Sequence, residues 1–206
     1  MNSLLQQNVM ESNVEIRRLI DVMPASGRMS IKIISKPQQA KVIDTTFPLP
    51  WNTDRLIYIN FDLWGRLTRQ QRDLMLLRMA SWVMGVKWFK PELYQGVVLA
   101  GILGSLVEVT QGDVVGVVVG GGLTALAATR IWNSNRSQES ELNADVGAIK
   151  IAQRRGYSEV EAAQHLLSAI ESVSKIEGRS GLDFIELIRC QNLKAIAGLS
   201  SVGIPD

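Results

Sequence analysis

Histidine and cysteine are almost absent from this sequence of 206 residues, which contains one of each, His165 and Cys190. Zinc sites normally take several imidazole or thiolate ligands, so these two distant residues exclude an ordinary zinc site built from histidine and cysteine. A single cysteine also excludes an internal disulfide framework. A site made only of oxygen ligands stays open, and such a site suits magnesium or calcium better than zinc.

An excess of charge of one sign is also missing, because 22 lysines and arginines face 20 aspartates and glutamates, for a net charge of +2. This charge is too small to indicate nucleic-acid binding, and no basic and aromatic pattern typical of RNA-binding modules is present. The first 28 residues lack the apolar stretch of a cleaved secretory signal. We expect a short amphipathic helix there, around residues 15–20 and ending near Pro24.

The periodicity of the remaining residues predicts an α+β fold in a single domain, residues 1–206. Alternating and β-branched residues predict short strands, which we expect to form a small antiparallel-type sheet packed on a helical core. These strands lie within residues 29–34, 41–50 and 55–61.

Capping residues and amphipathic spacing predict the helices that follow. Thr68 is the candidate N-cap of a largely buried helix that ends before Pro91. Ser158 and Glu161 form a candidate capping box at the start of a later helix. Helices are expected after residue 140 over residues 141–155, 158–177 and 182–197.

Two uncharged runs, residues 93–107 and 114–129, flank an acidic turn and predict an apolar helical hairpin over residues 93–131. The spacing of three glycines favours close helix packing in lipid; they are Gly112, Gly116 and Gly120. Aromatic and basic residues at the hairpin's ends favour a membrane location with both ends on the cytoplasmic side. Each run is shorter than the ~18 residues of a usual spanning helix, so a re-entrant hairpin or a buried soluble hairpin stays open. Strands also stay open, because residues 114–119 are rich in valine.

The order of elements over residues 29–169 resembles the membrane zinc metalloproteases typified by HtpX and the CAAX prenyl endopeptidase. The resemblance depends on Leu67-Thr68 before a buried helix, the two apolar runs, Glu141-Leu142-Asn143-Ala144-Asp145, and Gly156-Tyr157. In that family a helix bears H-E-x-x-H, whose two histidines bind zinc and whose glutamate is the general base. The glutamate of a second motif, E-x-x-A-D, is the third ligand. The resemblance therefore implies a zincin-like helical core.

The same resemblance places H-E-x-x-H on Arg78-Met79-Ala80-Ser81-Trp82, so the two histidines and the base are all replaced. Arginine has no lone pair for a metal, and methionine cannot accept a proton. Arg78, Met79, Trp82 and Glu141 are thus the positions of a degenerate zinc site, where only Glu141 retains the family's residue. We expect no metal, no cofactor and no zinc peptidase activity.

If Glu141 still faces the helix that carries Arg78, the two side chains can form an ion pair in the space of the zinc. The alternative is that Arg78 is solvated. His165 is interpreted as structural, and Cys190 as an inert thiol whose pKa the neighbouring Arg189 lowers slightly. We interpret Asp183, Glu186 and Arg189 as a solvated helix face.

These features predict a non-catalytic, membrane-associated pseudoprotease that acts by protein binding, as an assembly factor or an accessory subunit of a membrane complex. The expected partners are membrane lipid and a membrane protein complex, with neither nucleic acid nor a small-molecule substrate. Strand 55–61 is the candidate edge for main-chain pairing with an extended segment. Two alternatives stay open: an enzyme that uses Glu141 and Asp145 with a hard metal, and a soluble interaction module with a buried hairpin.

A second resemblance is to a family of cyanobacterial membrane proteins in which three sequences of this chain recur. They are Phe-Pro-Leu-Pro-Trp, Ile-Asn-Phe-Asp-Leu-Trp and Arg-Cys-Gln-Asn-Leu, which begin at residues 47, 59 and 189. This resemblance implies a plasma or thylakoid membrane location but no particular activity.

Overall fold

A computed structural model describes residues 2–46, 54–85 and 138–199 of the chain. The chain divides into two compact units, one of Met1–Gly85 with Glu141–Asp206 and one of Val86–Ser140. The predicted hairpin over residues 93–131, with Gly112, Gly116 and Gly120, lies outside the described residues. Among the residues that are described, no helix is both long enough and apolar enough to cross a membrane.

The described ranges form a mixed α+β structure that is mostly helical and includes one small sheet, which confirms the predicted fold class at this level. The elements in chain order are α1 (Asn2–Val22), α2 (Ala25–Ser30), β1 (Ile31–Ser35), β2 (Ile43–Thr45), β3 (Arg55–Ile59), α3 (Phe61–Trp64), α4 (Arg69–Gly85), α5 (Gln138–Gln153), α6 (Glu159–Ile176) and α7 (Phe184–Ile196).

The three strands form a sheet in the order β1-β3-β2, in which β3 is parallel to β1 and antiparallel to β2. The expectation of an antiparallel-type sheet is therefore wrong for one of the two pairings. The physical reason is the path of residues 36–42, which cross the end of β3 and carry the chain from one edge of the sheet to the other. Lys36 N donates to Ile59 O at 2.8 Å, and Asn60 N donates to Val42 O at 3.1 Å, so both ends of this crossing are fixed to β3.

The buried side chain of Asn60 holds this crossing in place. Its Nδ2 donates to the carbonyl oxygens of Pro37 and Gln39, each at 2.9 Å. Its Oδ1 accepts from the backbone N–H groups of Asp62 and Leu63, which makes Asn60 the N-cap of α3. The amide of Asn60 therefore binds backbone groups of the crossing segment and of the start of α3.

Helix α4 is the centre of the core, since all but one of residues 73–83 are buried. The predicted N-cap is confirmed: Thr68 Oγ1 accepts from Gln71 N at 3.3 Å, and Gln71 Oε1 accepts from Thr68 N at 2.9 Å. Gln71 Nε2 also donates to the hydroxyls of Ser168 and Ser172 on α6. Capping of α4 and its attachment to α6 thus depend on one glutamine.

The other helices predicted within the described ranges are present, with boundaries that differ from the expected ones. The capping box of Ser158 and Glu161 at the start of α6 is confirmed. Helix α1 is much longer than the short helix expected around residues 15–20. Leu19 on this helix and Met23, which directly follows it, are fully buried. Arg155 caps its C-terminal end by donating to Val22 O at 3.0 Å and Met23 O at 2.7 Å.

Candidate functional site

Four charged side chains from α4, α5 and α7 meet in the interior and are called here the buried charge cluster: Arg78, Glu141, Asp145 and Arg189. Arg78 Nη2 forms a salt bridge with Glu141 Oε2, and Arg78 Nε lies 3.5 Å from Asp145 Oδ1. Arg189 binds the same aspartate from the other side, with Nε and Nη2 each 2.8 Å from an Asp145 oxygen. The two carboxylates and two guanidinium groups therefore form one connected chain.

Burial makes the balance of charge in this cluster important. Asp145 is 0%, Arg189 6% and Arg78 9% exposed, while the Glu141 side chain keeps 18% of its surface exposed. Isolated charges at such positions are costly, and they persist only when paired and hydrogen-bonded. Because two positive groups oppose two negative ones, the cluster is neutral as a whole.

The electrostatics of Arg78 reflect this crowded setting. Burial and the nearby Arg189 guanidinium lower the pKa of Arg78 to about 10, although Asp145 and Glu186 act in the opposite direction. A pKa of about 10 still leaves the guanidinium protonated at neutral pH. Arg78 therefore acts in the cluster as a cation and a hydrogen-bond donor, not as a base.

The four positions that the protease resemblance assigns to a zinc site do not fit the metal that it implies. Arg78, Met79 and Trp82 are all buried on α4. None of them offers an imidazole or a carboxylate to a metal. Glu141 is engaged by Arg78, and both oxygens of Asp145 are engaged by Arg189. Within the described ranges, no group of three or more histidine, cysteine, aspartate or glutamate side chains is placed to hold a metal ion.

The structure brings Arg78 and Glu141 together, which is the first of the two alternatives considered for Arg78, and it corrects the expectation for Arg189. Arg189 does not lie on a solvated helix face but points into the core against Asp145. A signal for this was present in the sequence, because Arg189 shares helical spacing with the apolar residues Leu193 and Ala197. All three are buried.

The other two residues of that supposed face have different roles. Asp183 is the N-cap of α7 and forms a capping box with Glu186. Glu186 also accepts two bonds from Arg179, at 2.8 and 2.9 Å. These contacts fix the turn between α6 and α7. Since α7 starts at this turn, they also position Arg189 on that helix.

The expectation of a lowered pKa for Cys190 is wrong. Burial raises the pKa of this thiol, and the nearby Glu171 adds to the increase, which outweighs the opposite effect of Arg189. Two bonds to Asp145 neutralise much of the Arg189 charge. His165 is half-buried, with its ring edge-on to Tyr157 at 6.2 Å.

A second group of charges fixes α1 to the core and is called here the α1 anchor: Glu15, Arg18, Trp64, Arg72, Asp73 and Tyr157. Glu15 accepts two bonds from Arg18, both at 2.8 Å, and one from Arg72 at 2.9 Å. Trp64 Nε1 donates to the same carboxylate at 3.3 Å. Asp73 accepts from Arg18 Nη1 and, at 3.0 Å, from the Tyr157 hydroxyl. Sequence patterns do not indicate this group, because its members come from four separate segments of the chain.

The pKa values of the α1 anchor follow from these contacts. Burial acts to raise the pKa of Glu15, but the bonds and charges of Arg18 and Arg72 outweigh burial, so the pKa is lowered. Burial and the Asp73 carboxylate raise the pKa of Tyr157 to about 12. Glu15 is therefore a carboxylate and Tyr157 a neutral donor at physiological pH. Both carboxylate oxygens of Glu15 accept bonds within the fold, and the Tyr157 hydroxyl donates one.

Residues 17–157 match the protein family described as "Protein of unknown function (DUF3318)". The chain belongs to this family. The DUF3318 region contains Arg78, Glu141 and Asp145, whereas Arg189 lies beyond it. Neither the curated proteins nor the solved structures include a match to the chain.

Proposed function

We propose that this DUF3318 protein is a non-catalytic, membrane-associated protein that acts by binding other proteins, as an assembly factor or an accessory subunit of a membrane complex. The observation that carries the proposal is the buried charge cluster. Arg78 is a protonated guanidinium bound to Glu141 at the position where the protease resemblance requires a metal ligand. A chain with this arrangement can retain a protease-like scaffold, including a zincin-like core, without the chemistry.

The same contacts argue against the alternative of a hard-metal enzyme that uses Glu141 and Asp145. Magnesium or calcium would need several oxygen atoms from this site. Arg189 takes both oxygens of Asp145, and Arg78 takes one oxygen of Glu141. Displacing these guanidinium groups would leave buried cations without partners, which is costly.

The membrane part of the proposal rests on the two uncharged runs at residues 93–107 and 114–129. Their composition, with glycines at four-residue spacing and aromatic residues at the ends, favours association with a bilayer. Washing native membranes with alkaline carbonate tests this part: an integral protein stays in the pellet. Complete release into the supernatant would instead support the soluble interaction module.

Cross-linking in native membranes, followed by detergent extraction and affinity purification of the tagged chain, tests the binding role. We expect a membrane protein to co-purify in a fixed ratio and to remain bound without the cross-linker under mild detergent. Recovery of the chain only as a free monomer under both conditions would contradict the proposal.

A hydrolysis assay tests the absence of catalysis with a matched control. The unaltered chain and the Glu141→Gln variant are incubated with unfolded casein and zinc, and the fragments are measured by mass spectrometry. We expect identical traces from both proteins. Fragments that form with the unaltered chain and not with the variant would show that Glu141 retains a catalytic role.

A further inference from the structure

The expected binding edge at strand 55–61 is wrong, because β3 is the central strand and pairs on both sides. In the described part of the chain, no strand pairs with the other side of β1. In a parallel ladder, alternate residues of a strand bond to the same neighbour. Lys36 N bonds to Ile59 O on β3, so the backbone groups of Ile33 and Ser35 point away from β3.

The start of β1 supports this assignment of its two sides. Ile31 N donates to Gly27 O of α2, as expected for a residue whose backbone faces away from β3. Helix α2 therefore covers the beginning of the outer side of β1. Beyond it, from Ile33 to Ser35, the outer side offers the N–H and C=O groups that strand addition uses.

The side chains of β1 define which kind of segment fits there. Lys32, Ile34 and Lys36 alternate with the other residues and project from one face of the strand. All three are exposed. Lys32 forms a salt bridge with Asp54, which is itself exposed, and Lys36 Nζ lies 5.0 Å from the centre of the Tyr58 ring. The strand thus presents an apolar residue between two cations.

Lysines on an edge strand usually prevent unwanted pairing, and here they select against a second copy of this chain. If two β1 strands paired with Ile34 opposite Ile34, an antiparallel arrangement would place Lys32 opposite Lys36 twice. Like charges directly opposite each other are destabilising, whereas opposite charges are favourable. The same lysines therefore favour a partner strand that carries carboxylates.

We propose that the outer edge of β1 binds an extended segment of a partner protein in which two acidic residues flank an apolar one at alternate positions. The acidic residues would face Lys32 and Lys36, the apolar residue would face Ile34, and the backbone would bond to Ile33 and Ser35. This proposal rests on the proposed function, since it names the binding surface that a non-catalytic protein would use.

The full chain in detergent can be tested with the fluorescein-labelled peptide Thr-Glu-Thr-Val-Thr-Glu-Thr and a matched peptide with lysine in place of each glutamate. Fluorescence anisotropy measures the affinities. We expect saturable binding of the acidic peptide and binding of the lysine peptide at least about fivefold weaker, the effect of one exposed ion pair. Equal affinities, or no binding of the acidic peptide, would overturn the proposal.

Two variants locate the binding on β1. Ser35→Pro removes an outward N–H without removing a bond to β3, and edge strands tolerate proline at such positions. It should abolish saturable binding, and a thermal melt verifies that the variant is folded. Lys36→Glu should weaken binding of the acidic peptide about fivefold and strengthen that of the lysine peptide. Unchanged binding by a folded Ser35→Pro, or unchanged preference by Lys36→Glu, would place the contact elsewhere and refute the proposal.

The fate of the peptide separates this proposal from the proposed function. Intact peptide without binding rejects the β1 site alone, and a membrane partner found by cross-linking would then stand. Cleaved peptide rejects the non-catalytic function itself.

Discussion

Asp145 has the most demanding environment of any residue in the buried charge cluster, because its side chain is wholly buried and both of its oxygens accept bonds from Arg189. Its other cation, Arg78, approaches only through Nε at 3.5 Å. Glu141 differs, since part of its side chain reaches solvent. The two arginines are therefore not equivalent, and their removal should have different costs.

Replacing Arg189 with methionine should destabilise the chain by about 3 to 5 kcal/mol, because it leaves the buried Asp145 carboxylate without its bidentate partner. Arg78→Met should cost less, since Asp145 keeps Arg189 and Glu141 can turn toward water. Urea unfolding of both variants measures the difference. A larger loss for Arg78→Met than for Arg189→Met would contradict this description of the cluster.

A double-mutant cycle supplies the control for the Arg78–Glu141 pair. The variant Arg78→Met/Glu141→Gln removes both charges together, so it should cost less than the sum of the two single changes. Additive effects would mean that the two side chains do not interact.

At the residue scale, the structure shows the salt bridge between Arg78 and Glu141. The E-x-x-A-D motif makes this pair one of two alternatives, the other being a solvated Arg78. It was not sufficient to find Arg189, which lies far along the sequence and outside the DUF3318 match.

The three-residue spacing of Asp183, Glu186 and Arg189 favours a solvated helix face. The four-residue spacing of Arg189 and Leu193 instead indicates that Arg189 is buried, as it is in the structure. That spacing does not identify Asp145 as its partner, because the two residues lie 44 positions apart in the sequence.

At the element scale, α4 and α5 approach closely where Gly147 faces Ser81. A methyl group at Gly147 would lie 3.0 Å from Ser81 Oγ and 3.1 Å from Ser81 Cβ. Both distances are tighter than ordinary van der Waals contact. The glycine therefore sets how near α5 lies to α4, and hence how near Asp145 lies to Arg78.

Gly147→Ala should destabilise the chain by about 1 to 3 kcal/mol through overpacking, although alanine is the better helix former in an open position. Gly85→Ala is the matched control, because a methyl group at Gly85 meets nothing within 4 Å. That control should be neutral or slightly stabilising. Adding Ser81→Gly should recover part of the loss at Gly147. If thermal melts show that Gly147→Ala is as stable as the control, the contact between Gly147 and Ser81 does not limit how closely the two helices pack.

The α1 anchor predicts a dependence of stability on pH. The pKa of Glu15 is lowered in the folded state from its ordinary value of 4.5, so the unfolded chain binds its proton more tightly. Its stabilising contribution is complete above 4.5 and is lost as pH falls through the lower pKa of the folded state. Acidification should therefore release α1.

Glu15→Gln tests this directly. At neutral pH the variant should lose about 1 to 3 kcal/mol, because it no longer accepts charge-assisted bonds from Arg18 and Arg72. Between about pH 5 and pH 3, its free energy of unfolding should fall less steeply than that of the unaltered chain. Parallel curves for the two proteins would show that Glu15 is not the titrating group.

At the scale of the whole molecule, local signals in the sequence predicted the elements better than their arrangement. Caps such as Thr68 and Ser158 gave helix starts, because a cap depends only on the next three residues. The order of the sheet could not be obtained in this way. It depends on the crossing of residues 36–42 and on the bonds of Asn60, which join positions distant in sequence. The membrane hairpin over residues 93–131 stays a prediction.

The function proposed for the whole molecule depends on a site that holds guanidinium groups where the protease resemblance implies a metal ion. The most direct test is the zinc content per chain, measured by mass spectrometry of protein purified without chelators, with Glu141→Gln beside it. We expect far less than one zinc per chain and no difference between the two proteins. One zinc per chain in the unaltered protein, lost in the variant, would contradict it.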